Sequence, residues 1–98
     1  MQQYLAEITL PVHATKDYLE LIPQQRSFVE SMFKCGLITS YALALDRSKI
    51  WVTFATPTME EAEAIIRKFP LSDYITYSIH ELSFRNSISN LMPAVSLN

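Results

Sequence analysis

The chain has 98 residues, enough for one hydrophobic core and too few for two. Its net charge of −2, with eight Lys and Arg scattered along the sequence, offers no basic footprint for nucleic acid or an anionic membrane surface, and no stretch is long and apolar enough to span a bilayer. Cys35 is the only cysteine, which excludes an internal disulfide and a thiolate cluster for zinc; it reads as a small, half-buried hydrophobe at a helix end.

Residues Tyr4 to Leu10 alternate Tyr4, Ala6, Ile8 and Leu10 against Leu5, Glu7 and Thr9, a first strand that Pro11 ends. From Thr15 to Cys35, Tyr18, Ile22, Val29, Met32 and Phe33 recur at helical spacing. Thr15 can cap the start, and Gly36, the only glycine, suits the left-handed position after the end. Pro23 interrupts this stretch, so the expectation is a kink, or a short turn over 16–22 with a helix starting near Pro23.

Two apolar runs, Ile38 to Leu45 and Ile50 to Ala55, flank Asp46, Arg47, Ser48 and Lys49 and read as a β-hairpin. If Asp46 and Lys49 bracket a tight turn, Leu45 falls opposite Ile50, Leu43 opposite Val52 and Tyr41 opposite Phe54, all on one face. The second face, with Ser40, Ala42, Ala44, Trp51 and Thr53, is nearly uncharged and also wants cover. Thr58 and Glu61 then have capping-box spacing ahead of the stripe Ala62, Ile65, Ile66 and Phe69, and Pro70 stops that helix. The last predicted strand is Tyr74 to Phe84, with Ile75, Tyr77 and Ile79 on one side and Thr76, Ser78, His80 and Leu82 on the other.

Strand, helix, strand, strand, helix, strand, with right-handed crossovers, gives an α+β ferredoxin-like βαββαβ plait. It is a four-stranded antiparallel sheet of order 4-1-3-2 with both helices on one face. The domain spans 1–84, and 85–98 is a tail or an arm over a neighbouring subunit. Apolar residues make up 49% of the chain and charged residues only 18%, so more surface wants burying than a lone domain manages. Burial of the open sheet face stabilises by about 25 cal/mol per Å² before association costs. A homodimer or higher even oligomer, a dimeric α/β barrel, is therefore expected. The N-terminal MQQYLAEITLP lacks a basic region and an apolar core of secretory length, so a cytoplasmic protein is expected.

The chain resembles the muconolactone Δ-isomerase family of dimeric α/β barrels over roughly residues 3–84. The resemblance lies in Leu10-Pro11-Val12, the Gly36 turn, and Phe69-Pro70-Leu71-Ser72-Asp73-Tyr74 leading to Ile79-His80-Glu81-Leu82. Through Ile22-Pro23-Gln24-Gln25-Arg26, and Ser40-Tyr41 with Asp46-Arg47-Ser48-Lys49, it is also similar to small uncharacterised proteins placed beside that family. The resemblance implies subunits paired sheet to sheet and a proton shift next to a lactone carbonyl, with no metal or organic cofactor. Gln25, Arg26, Ser40 and Tyr41 are not the isomerase's residues, so no catalytic residue carries over.

Such a proton shift needs a base and a donor to the developing enolate oxygen. Glu7 and His80, on neighbouring strands and both on the face away from the helices, are the candidate catalytic pair. The alternative is that they only satisfy polar groups in a barrel interior. Arg26 and Gln25, beside the stripe of Ile22 and Val29, are placed to hold a small organic acid between helix and sheet with Tyr41 as donor. Otherwise Arg26 pairs with an acid such as Glu30. Trp51 is a stacking surface for a planar ligand or an interface anchor. His13 lies in a loop with no second His or Cys near it in sequence, and one glycine excludes a Gly-rich phosphate loop. Two function classes follow, an isomerase acting on a small organic acid or lactone and a non-catalytic binding or accessory dimer; the resemblance to dimeric α/β barrels implies a third, a cofactor-free monooxygenase.

Overall fold

The computed structural model describes residues 2–84; the segment 85–98, read above as tail or arm, lies outside them. Element order is β1 (Gln2–Thr9), α1 (Lys16–Lys34), β2 (Ile38–Leu43), β3 (Lys49–Thr56), α2 (Met59–Arg67), a 3₁₀ turn (Ser72–Tyr74) and β4 (Thr76–Leu82). All strand pairs are antiparallel and the sheet order is β2-β3-β1-β4, the expected plait. Tyr4, Ala6 and Ile8 of β1 and Ile50, Val52 and Phe54 of β3 are buried against Val29 of α1 and Ala62, Ile65 and Ile66 of α2. The period of two in the strands and of 3.6 in the helices therefore meets in one core.

Both helix starts form as the residue types dictate. The Thr15 hydroxyl accepts from the Tyr18 amide at 3.3 Å, and the Thr58 hydroxyl accepts from the Glu61 amide at 3.2 Å. At the end of α1, the Gly36 amide donates to Phe33 O and the Leu37 amide to Met32 O, a Schellman closure that places Gly36 at φ +77°. Pro23 does not divide α1, which is one helix across that position. Leu19, whose carbonyl loses its helical donor to the proline ring, is half-exposed and lies one turn before the exposed Pro23, so the loss falls on the solvent side of the helix. Cys35 caps the helix and is exposed, not half-buried.

The hairpin departs most from expectation. Leu43, not Leu45, faces Ile50, and Tyr41 faces Val52, because the Ala44 amide donates to Lys49 O across a four-residue loop, Leu45 to Ser48. A tight turn at Asp46–Lys49 fails because Arg47 adopts φ +63° and the Asp46 carboxylate folds back onto Ser48, making a wider loop. The shift is two residues, so the inward set Tyr41 and Leu43 keeps its face, while Leu45 is left fully exposed. A bulge at Thr39 puts Ile38 opposite Phe54 and Ser40 opposite Thr53, so Ile38 also turns to the core. The last strand is shorter than expected, since the Ser72 and Tyr74 amides bond back to Phe69 O and Leu71 O in the 3₁₀ turn.

Candidate functional site

At the end of the sheet where β1 leaves and the β2–β3 loop turns, α1 does not lie flush on the strands. Leu10, Pro11 and Val12 form one wall of a cavity of about 520 Å³, Tyr18, Ile22, Gln25 and Arg26 of α1 a second, and Tyr41, Leu43 and the loop Asp46–Ser48 a third. That volume suits a small organic molecule. Tyr18, Leu10, Ile50 and Leu71 bury its inner surface, whereas Val12, Leu19 and Leu43 leave apolar groups at its mouth.

Gln25 is the organising residue. It is 4% exposed, and its Oε1 accepts from the Leu71 amide at 3.3 Å, which fixes which end of the amide is which. Nε2 is therefore the end that donates to the Tyr41 hydroxyl at 3.4 Å. With its oxygen accepting from Gln25, the Tyr41 phenol keeps its own proton to give to something in the cavity. Burial holds the Tyr41 phenol above its ordinary value of 10.0, against a smaller opposite effect of the Gln25 hydrogen bond, so it is a neutral donor at physiological pH. Burial raises Tyr18 in the same sense.

Charge at the mouth comes from Arg26 of α1 and from Asp46, Arg47 and Lys49 of the hairpin. Lys49 is engaged elsewhere, 3.3 Å from Glu7 Oε2 and 3.1 Å from Thr9 Oγ1. Among the described residues neither Arg26 nor Arg47 forms an ion pair, so the expected alternative partner Glu30 does not take Arg26. The Asp46 carboxylate accepts from Ser48 Oγ at 2.7 Å and from the Ser48 amide at 3.0 Å, and these bonds, the hydroxyl's first, hold it below the usual carboxylate value.

Of the ligand candidates, Arg26, Gln25 and Tyr41 converge on this cavity; Trp51 stands on the other side of the sheet, between Ala42 and Glu7 in register. Glu7 and His80 share that outer face, but they are not opposite one another. Ser78 faces Glu7 and Leu5 faces His80, leaving the pair diagonal, and Glu7 is bonded to Lys49 instead. His13 is exposed in the loop after β1, and no group of three or more His, Cys, Asp or Glu gathers among the described residues. Arg47 and Asp46, which read as turn residues, line the cavity as well; their only local signal is a pair of charges in a turn beside Tyr41's strand.

No protein-family model and no curated protein matches the sequence. Among solved structures the fold is similar to that of muconolactone isomerase, with a TM-score of 0.72 at 16% identity over 87% of this chain and 92% of that one. The likeness establishes the fold. No helix among the described residues is long and apolar enough to cross a membrane.

Proposed function

We propose that this chain is a muconolactone isomerase-like protein that takes a small organic acid or lactone into the cavity between α1 and the hairpin. The observation that carries this is the relay Leu71 N–H to Gln25 to Tyr41, which presents a neutral phenol proton in the cavity that Arg26, without an ion-pair partner among the described residues, also lines. Arg26 holds a carboxylate by charge-assisted hydrogen bonds, and Tyr41 donates to a carbonyl oxygen. If the Asp46 carboxylate, the one carboxylate lining the cavity, takes a proton from the carbon next to that carbonyl, the charge moves to the oxygen and the Tyr41 bond strengthens; return of that proton from Asp46 to a different carbon of the conjugated system completes a double-bond shift.

A second reading, a binding module without turnover, draws support from the lining itself. Asp46 is the one carboxylate among the cavity residues, and the hydrogen bonds from Ser48 make it a weak base. A role for Glu7 and His80 in catalysis belongs to a sheet-to-sheet dimer that would enclose the outer face; Gln3 Oε1, buried on that face without a hydrogen-bond partner among the described residues, supports such an assembly.

The test uses muconolactone with wild type, Arg26→Ala, Tyr41→Phe and Glu7→Gln, following the double-bond shift by ultraviolet absorbance and binding by calorimetry. Turnover that falls about 100-fold in Tyr41→Phe supports the isomerase reading. Binding lost in Arg26→Ala without turnover in wild type supports the binding module. Turnover that falls only in Glu7→Gln moves the site to the outer face.

A further inference from the structure

We propose that Arg47 is a second anion-holding residue of the cavity, and that the ligand is a dicarboxylate with an apolar body. This rests on the cavity being an organic-acid site. Arg47 stands at φ +63°, a conformation that glycine or asparagine adopts at much less cost than arginine. The loop does not depend on the arginine side chain: its bonds run from the Arg47 amide to Ala44 O and from the Ser48 amide and hydroxyl to the Asp46 carboxylate. Arg47 lines the cavity on the hairpin wall, as Arg26 does on the helix wall.

The charges point to one class of ligand. Lys49 is paired with Glu7, and the Asp46 carboxylate is turned onto Ser48, which leaves Arg26 and Arg47, residues of separate walls, with no ion-pair partner among the described residues. Between them the surface is apolar, from Leu10, Ile22, Leu43 and Ile50. A monocarboxylate would satisfy one wall only. A molecule with a carboxylate at each end and methylene or vinyl carbons between them satisfies both, each end by a forked pair of hydrogen bonds.

The probes are adipate, a six-carbon dicarboxylate, and hexanoate, its monocarboxylate counterpart, titrated calorimetrically at low ionic strength into wild type, Arg47→Gly, Arg47→Asn and Arg26→Ala. Wild type is expected to bind adipate about tenfold more tightly than hexanoate. Both Arg47 variants, whose new residues tolerate the loop conformation, are expected to lose that preference and keep hexanoate within about twofold, whereas Arg26→Ala weakens both probes. Equal affinity of wild type for the two probes, or a preference that survives in both Arg47 variants, overturns the proposal; hexanoate binding that depends on Arg26 would then leave the organic-acid site standing. Binding of neither probe overturns both.

Discussion

The buried amide of Gln25 donates to the Tyr41 hydroxyl at 3.4 Å while its other end accepts from the Leu71 amide at 3.3 Å, so one side chain ties α1, β2 and the turn after α2 together around the cavity. Such a bridge is costly to break from one side, because the groups left behind are buried. Gln25→Leu should destabilise by about 2 kcal/mol and Tyr41→Phe by about 1 kcal/mol. The double variant should cost less than the sum of the two. Urea unfolding of the four proteins checks this, and strict additivity would show that the two side chains do not interact.

The same burial makes the cavity sensitive to high pH. The phenols of Tyr41 and Tyr18 are raised above 10.0 in the folded chain, so the folded state holds their protons more tightly than the unfolded state does. Their contribution to stability is whole below that value and is lost as pH rises from it through their folded values. Tyrosinate absorbance titrated on folded and urea-unfolded protein should show the folded curve displaced to higher pH. Tyr41→Phe should remove part of the displacement.

At low pH the hairpin loop responds instead. Asp46 is held below 3.8 mainly by the Ser48 hydroxyl, so its bonds favour the folded loop above that pH and are lost as pH falls through the folded value. Carboxyl-carbon NMR of Asp46 should titrate below the ordinary range in wild type and move back toward it in Ser48→Ala. An unchanged midpoint in the variant would show that the hydroxyl is not the cause.

Arg47 carries a conformational cost that stability can read without any ligand. Replacing it by glycine at φ +63° should stabilise the free protein by about 1 kcal/mol, and by valine should destabilise it. Chemical denaturation measures both. A glycine variant less stable than wild type would mean that the arginine side chain supports the loop after all.

The outer sheet face makes its own prediction. Trp51 is 37% exposed there, flanked by Ala42 and Glu7, and Thr53 is buried beneath Ser40, whose hydroxyl donates to it at 2.8 Å. If a second copy covers this face, light scattering after size exclusion gives an even multiple of the chain mass for wild type and a smaller one for Trp51→Glu with unchanged circular dichroism. A monomeric wild type would remove any enclosed setting for Glu7 and His80.

What the sequence by itself determined is the order of elements, which face each strand presents, and the caps at Thr15, Gly36 and Thr58. Each of these is written in a few neighbouring residues: alternation in Tyr4 to Leu10, the stripe Ala62, Ile65 and Ile66, a hydroxyl three residues before a free amide, one glycine where φ must be positive. That Arg26, Gln25 and Tyr41 come to one cavity was legible too, because helical and strand periodicity turn Gln25 and Tyr41 inward on adjacent elements and set the exposed Arg26 beside the stripe. Only the tertiary structure decided that Leu43 and not Leu45 pairs with Ile50, that Glu7 takes Lys49 rather than His80, and that Arg47 and Asp46 belong to the cavity. Register depends on how a loop closes and on what lies across the sheet, and both are set by contacts between residues far apart in sequence, which local pattern does not record.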